Sequence, residues 1–129
     1  MATIKSYTDL EQSKKLAEIL QLESADMYWW SSGKRYYIEA MNDGDFNEQE
    51  GHVRAWSLAA LLNILPNNEN ISTNLSKGGY RISTFEYTNS WFVDYEDETD
   101  GLNNCVTSAD NPVDACVAMI EKLHELKML

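Results

Sequence analysis

The fold is decided by the stretch Met27-Tyr28-Trp29-Trp30-Ser31-Ser32-Gly33-Lys34-Arg35-Tyr36-Tyr37-Ile38-Glu39-Ala40-Met41. Its two ends, residues 27–30 and 35–41, are rich in aromatic and β-branched side chains, which favour strands. Residues 31–34 between them provide turn chemistry, including a glycine that can take a positive φ. The stretch therefore predicts a β-hairpin.

A second strand pair is predicted from residues 80–87 and 91–95, which flank a short polar segment. Side chains alternate between the two faces of a strand, so Trp91 and Val93 share the face opposite Phe92. We expect one of these faces to be buried.

Helical patterns occur before the first hairpin and between the two strand pairs. Thr8 and Glu11 have the spacing of a capping box, and an apolar stripe follows to about Leu20. Residues 53–65 are apolar around nearly the whole helical wheel, which predicts a helix buried on most faces and stopped by Pro66.

A third helix is predicted near the end of the chain. Asn111 fits the N-cap position, Pro112 the first helical position, and Asp114 the first turn, where the helix dipole favours an anion. Its apolar stripe consists of Val113, Cys116, Val117, Ile120 and Leu123.

Three segments lack a periodic apolar pattern. Residues 42–51 predict a solvated loop, residues 67–79 a long polar connection with a turn at Lys77-Gly78-Gly79, and residues 101–109 an irregular segment.

The predicted element order is α-β-β-α-β-β-α. Paired strands without strand-helix-strand alternation favour an α+β fold, with one antiparallel sheet of about four strands and helices packed mainly on one face. The 129 residues suit a single domain spanning 1–129.

Charge and composition narrow the function classes. Ten basic and 21 acidic residues give a net charge of −11, which argues against direct nucleic-acid binding through phosphate neutralisation. With 43% hydrophobic residues the composition is globular. No secretory hydrophobic segment follows Met1, and no apolar run approaches the roughly 20 residues of a membrane span. We expect a cytoplasmic protein that does not engage membranes.

Cysteine and histidine chemistry is sparse. Cys105 and Cys116 lack metal-site spacing and are expected to be free thiols. Cys116 and His124 are separated by about 12 Å of helical rise, too far for a nucleophile pair. We expect no cofactor, no metal site and no catalytic residues of this type.

Two acidic stretches allow other functions. Their candidate surface residues are Asp43, Asp45, Glu48, Glu50, Asp94, Glu96, Asp97, Glu98 and Asp100. An EF-hand alignment of the second stretch fails, because Thr107 falls where a bidentate glutamate is required. The stretches could instead imitate nucleic-acid phosphates and inhibit a DNA-binding protein. Alternatively, Asp94 and Glu96 could act as the paired carboxylates of a small hydrolase.

The aromatic residues indicate an interaction surface. Adjacent rings on a strand point to opposite faces, so helices on one side of a sheet cannot cover both members of each pair. Exposed tryptophan and tyrosine favour protein contact. The candidate interface residues are Trp29, Trp30, Tyr36, Tyr37, Trp91 and Phe92. We therefore expect a non-enzymatic protein that binds an unidentified protein partner and forms a homodimer.

Several blocks of the chain carry a family resemblance. These are Ser24-Ala25-Asp26-Met27-Tyr28-Trp29, Trp56-Ser57-Leu58-Ala59-Ala60-Leu61-Leu62-Asn63, Asn74-Leu75-Ser76-Lys77-Gly78 and Asp110-Asn111-Pro112-Val113-Asp114-Ala115-Cys116. Together they resemble a family of small uncharacterised proteins of anaerobic gut bacteria, often encoded in phage-like or mobile genetic regions. The resemblance implies an intracellular accessory protein of bacterial or prophage origin, and it brings no activity or site residues.

Overall fold

A mixed α+β fold is present in the computed structural model, which describes residues 5–41, 44–65, 75–84, 91–97 and 105–127. The helices are α1 (Leu10–Ile19), α2 (Leu58–Ile64) and α3 (Pro112–Glu125), and short 3₁₀ turns occupy Leu22–Ser24 and Glu48–Glu50. The strands are β1 (Met27–Ser32), β2 (Arg35–Ala40), β3 (Val53–Ala55), β4 (Leu75–Thr84), β5 (Trp91–Asp97) and β6 (Cys105–Ala109).

The chain divides into two compact units, Ser6–Ala60 and Met1–Lys5 with Leu61–Leu129. The first contains a three-stranded sheet in the order β2-β1-β3, and the second contains one in the order β4-β5-β6. The strand pairs formed by the described residues are all antiparallel. This differs from the expected single sheet of about four strands and from the expected element order, because a third strand joins each predicted pair.

The first hairpin is confirmed, but its turn is shorter than the predicted residues 31–34, because Ser31 and Ser32 pair as part of β1. β1 and β2 pair in one continuous register from Met27 opposite Ala40 to Ser32 opposite Arg35. Gly33 has φ +65° in the two-residue turn. A positive φ at the first turn position matches the right-handed twist of the strands and is the conformation that glycine adopts without steric cost.

Helix α1 is confirmed, but its capping box lies one residue later than predicted. Asp9 is the N-cap and accepts a hydrogen bond of 2.8 Å from the Gln12 backbone N–H, while the Gln12 side chain accepts from the Asp9 N–H at 3.1 Å. Thr8 cannot cap the helix because its hydroxyl is used in the interior. It contacts the Ser13 hydroxyl at 2.8 Å and accepts from the Trp56 backbone N–H at 3.1 Å.

The helix predicted over residues 53–65 is right only for Leu58–Ile64. Val53–Ala55 is a strand because it completes the first sheet beside β1. Asp26 accepts from the Ser57 backbone N–H at 2.8 Å and also from its hydroxyl, and Ser57 in turn accepts from the Ala60 N–H at 3.2 Å. These contacts start the helix after Ser57.

Helix α2 is also less buried than predicted. Leu61 is buried, and Leu65 just after the helix is buried as well, but Ala59 and Asn63 are exposed. The prediction of burial on most faces was therefore wrong for this short helix.

The second strand pair is confirmed for β4 and β5, with Ile82 opposite Val93. Leu75 already belongs to β4, so the predicted turn at Lys77-Gly78-Gly79 was wrong, although the register shifts between Leu75 and Tyr80. The polar connection predicted at residues 67–79 and the irregular segment predicted at residues 101–109 both include strand residues, namely 75–79 of β4 and 105–109 of β6. Residues 66–74, 85–90 and 98–104 lie outside the described residues.

Strand β6 was not predicted, because the sequence indicated an irregular segment at residues 101–109. Cys105–Ala109 pairs with β5 along five residues, from Tyr95 opposite Cys105 to Trp91 opposite Ala109. The Thr107 hydroxyl also donates to the Ala115 carbonyl at 2.9 Å. Tertiary pairing thus gives a strand where the local pattern is weak.

Helix α3 begins as predicted. The Asn111 side chain accepts from the Asp114 N–H at 2.8 Å, and Pro112 occupies the first turn. The predicted apolar stripe is buried, and Ala115 and Met119 widen it. This helix packs on β5 and β6, where Val93 is fully buried.

Candidate interaction surface

The strand register assigns the aromatic side chains of the hairpin to two faces. Trp30 and Tyr37 are directly opposite each other and share the face of Tyr28. Trp29 lies opposite Ile38 and shares the other face with Tyr36. Each face therefore carries aromatic rings from both strands.

The face of Trp29 is covered by the chain that leads into α1. The Trp29 indole N–H donates to the Thr8 carbonyl at 3.1 Å, and the Tyr7 ring meets the Trp29 ring edge-on at a centroid distance of 5.7 Å. Ala55 of β3 lies on this same face and is fully buried. Trp29 is accordingly half-buried and is held as part of the first unit's packing.

The opposite face is covered at one end by the segment after β2. Tyr28 is 2% exposed. The His52 ring stacks on it at 5.2 Å, and the Phe46 ring meets it edge-on at 5.6 Å. The Arg54 guanidinium lies 4.5 Å from the centroid of Phe46, within cation–π range.

The phenol of Tyr28 donates to Glu39 Oε2 at 3.0 Å. Burial first, and then the hydrogen bond and charge of Glu39 and the charge of Asp45, raise the pKa of Tyr28. All of these effects favour the neutral phenol. The hydrogen bond ties β1 to Glu39 of β2 near the open end of the hairpin.

The rings nearest the hairpin turn extend beyond this cover. We call Trp30, Tyr36 and Tyr37 the hairpin-end surface. Tyr36 is 50% and Tyr37 40% exposed, although they are adjacent and point to opposite faces. Trp30 and Tyr37 stack at a centroid distance of 4.7 Å with an interplanar angle of 26°. Strand β3 begins at Val53, opposite Trp29, and does not extend along β1 as far as the hairpin-end surface.

Trp30 also carries an unusual polar atom. Trp30 as a whole is half-buried, but its indole nitrogen is fully buried and has no hydrogen-bond partner among the described residues. A buried N–H without a partner is destabilising by about 1–3 kcal/mol. Trp30 thus combines a partly exposed ring with an unsatisfied donor.

The other two candidate interface residues belong to the second sheet. Trp91 lies opposite Thr84 and Ala109, and Phe92 lies opposite Ser83 and Ser108. Both side chains are half-buried, and they occupy opposite faces of β5.

The first acidic stretch is exposed and partly neutralised. Glu48 forms an ion pair with Arg54, and Glu50 lies 3.7 Å from His52 Nε2. Asp45 is exposed, and Asp43 lies outside the described residues. Its charges therefore do not form an uninterrupted row of free carboxylates.

The second acidic stretch follows β5. Asp94, Glu96 and Asp97 occupy strand positions, with Asp94 opposite Arg81 and Val106. Glu98 and Asp100 lie outside the described residues. The imitation of nucleic-acid phosphates and the paired-carboxylate hydrolase remain predictions.

Metal-ligating and nucleophilic groups are dispersed over the described part of the chain. Among residues whose positions are described, no three histidine, cysteine or carboxylate side chains form a group that could hold a metal ion. Cys116 is a buried free thiol, and burial raises its pKa to about 12. A thiol of this kind is a poor nucleophile. No helix of the described residues is both long and apolar enough to cross a bilayer.

Sequence reasoning missed three residues that cover the other rings of the hairpin. These are Thr8, whose carbonyl holds Trp29, and Phe46 and His52, which cover Tyr28. The aromatic Phe46 within an otherwise polar segment was the available signal. Such a ring in a loop commonly packs on a neighbouring sheet, because its apolar area is large.

Comparison with protein-family models, with curated proteins and with solved structures finds no match to this chain.

Proposed function

We propose that this protein is a non-enzymatic binding protein that contacts another protein through the hairpin-end surface. The observation that carries the proposal is the exposure of two adjacent rings, Tyr36 and Tyr37, on opposite faces of one strand. A partner that encloses the end of the hairpin would cover both.

The chemistry of the surface supports a protein partner. Tyrosine and tryptophan supply large apolar area together with a polar atom, and they are enriched at protein interfaces. The Trp30–Tyr37 stack holds two of the three rings in one arrangement, so less side-chain entropy is lost on binding. Rigid aromatic anchors of this kind dominate the binding energy of many interfaces.

The wider setting is part of the same proposal. The protein acts in the cytoplasm as a single-domain accessory protein of bacterial or prophage origin, as the resemblance implies. Helices cover each sheet mainly on one face. This arrangement is supported by the packing of α1 beside β3 and of α3 on β5 and β6.

A capture experiment with matched variants tests the proposal. Extract of the native host is passed over immobilised wild-type protein, over Tyr36→Ser/Tyr37→Ser, and over Leu22→Ser/Leu126→Ser. The control pair removes two apolar side chains that are 36% and 53% exposed outside the hairpin. We expect the wild-type and control proteins to retain the same partner and the tyrosine variant to lose it. Equal retention by all three would contradict the proposal.

A further inference from the structure

Strand β2 is an edge of its sheet, and its outward backbone groups can be assigned. The Met41 N–H donates to the Asp26 carbonyl at 2.8 Å, which continues the register of β1 and β2. Backbone groups alternate along an antiparallel strand, so residues 35, 37 and 39 also bond toward β1. The N–H and C=O groups of Tyr36, Ile38 and Ala40 therefore point away from the sheet.

Within the described part of the chain, nothing pairs with this edge. The sheet order ends at β2, and five of its six residues are exposed. Natural edge strands are commonly blunted by proline, a bulge or repeated lysine. β2 contains no proline, and it pairs with β1 in an unbroken register over six residues. It is a regular template for another strand.

The charges on β2 have a self-complementary pattern. Arg35, Tyr37 and Glu39 share one face at consecutive same-face positions. The cation and the anion are thus equally spaced on either side of the tyrosine. When a second copy of the strand runs antiparallel with its Tyr37 opposite this Tyr37, Arg35 of each copy lies opposite Glu39 of the other.

We propose that a second copy of this chain pairs antiparallel with β2, with Tyr37 opposite Tyr37 of the second copy. Arg35 then lies opposite Glu39 of the second copy, and Tyr36 lies opposite Ile38 of the second copy. Tyr36 of each copy exchanges backbone hydrogen bonds with Ile38 of the other copy. The β2-β1-β3 sheets of the two copies then form one six-stranded sheet. This inference rests on the proposed function and names a second copy as the partner of the same hairpin.

The alternating backbone and the charges select this register. A shift by one residue would bring inward-pointing backbone groups to the interface, so only shifts by two are compatible with pairing. Centring the pair on Ile38 places Glu39 opposite Tyr37, and centring it on Tyr36 places Arg35 opposite Tyr37. Only the pair centred on Tyr37 brings opposite charges directly across from each other, which is the favourable arrangement.

Charge reversals test the register. In Arg35→Glu both charged positions of β2 are acidic, and in Glu39→Arg both are basic. Each variant alone places like charges opposite each other twice per dimer. An equimolar mixture of the two restores an opposite-charge pair at both places.

Sedimentation velocity across a concentration series provides the measurement. Lys14→Glu and Glu18→Arg are the matched controls, because they change the net charge by the same amounts at exposed positions of α1. We expect wild type and both controls to dimerise. We expect each β2 variant to have a dissociation constant raised about tenfold or more, and the mixture to form a heterodimer. Circular dichroism establishes that each variant is folded.

The outcomes separate the two proposals. A wild-type protein that stays monomeric at every concentration overturns the edge pairing, while the capture experiment still decides whether another protein binds the hairpin end. A dimer that is indifferent to both reversals, or a mixture that stays monomeric, also overturns the pairing.

Discussion

Thr8 is a residue at which several polar contacts of the first unit meet. It is fully buried, and its backbone N–H donates to the Trp56 carbonyl at 2.9 Å. Its carbonyl accepts from Trp29, and its hydroxyl joins Ser13 and the Trp56 N–H. Through its hydroxyl and its backbone groups, Thr8 thereby links α1, β1 and the chain after β3.

Replacing Thr8 by valine tests this role. The shape of the side chain is retained, but the Ser13 hydroxyl and the Trp56 N–H lose a buried partner. We expect the free energy of unfolding, measured in urea, to fall by about 1–3 kcal/mol. Thr8→Ser keeps the hydroxyl and is the control. A valine variant as stable as wild type would show that the hydroxyl contributes nothing.

Cys116 provides a pH-dependent prediction. Burial raises the pKa of the Cys116 thiol from its ordinary 9.0 to about 12 in the folded protein. Between these values the unfolded chain releases the thiol proton while the folded chain retains it, so stability falls as the pH rises. We expect wild type to lose more stability than Cys116→Ala between pH 8 and pH 10.5 in urea titrations. Parallel losses in the two proteins would argue against a buried neutral thiol.

At the scale of elements, caps and turns set where helices and strands begin. The capping box of α1 and the N-cap of α3 both satisfy early backbone donors. Gly33 allows the two-residue turn that holds β1 against β2. The edge position of β2 follows from this turn, since β1 is paired on its other side by β3.

The N-cap of α3 can be tested directly. Asn111→Ala removes the acceptor of the Asp114 N–H, and we expect a loss of about 1 kcal/mol in the free energy of unfolding. Asn111→Ser retains a capping oxygen and should lose only a few tenths of this amount. If the alanine and serine variants unfold at the same denaturant concentration, the cap does not contribute as described.

At the scale of the whole molecule, the main electrostatic feature is the excess of acidic residues. A net charge of −11 on 129 residues destabilises the compact state through self-repulsion. Dissolved salt screens this repulsion, because the Debye length falls to about 10 Å at 0.1 M. The same excess argues against direct binding of nucleic acid.

Sodium chloride should therefore stabilise the protein. We expect the midpoint of urea unfolding to rise between about 10 mM and 0.1 M salt, as the Debye length falls from about 30 to 10 Å. The exposed pair Glu18→Lys/Glu23→Lys changes the net charge from −11 to −11 + 4 = −7 and should respond less. An equal response of the two proteins would show that specific pairs, and not net charge, govern the salt effect.

Local physics made several features predictable. The hairpin follows from aromatic strands around Gly33, and the start of α3 follows from Asn111 and Pro112. In each case one turn or one cap and its nearest neighbours provide the stabilising contacts. The buried stripe of α3 is likewise a matter of helical spacing alone.

Long-range contacts decided the rest. Val53–Ala55 is apolar enough for a helix, but pairing with β1 makes it a strand. Thr8 has the spacing of a cap, but its bonds to residues 13 and 56 withdraw its hydroxyl. Adjacent rings such as Tyr36 and Tyr37 point to opposite faces of any strand. Which of them stay exposed depends on how far β3 and Phe46 reach along the sheet, and no local pattern specifies that distance.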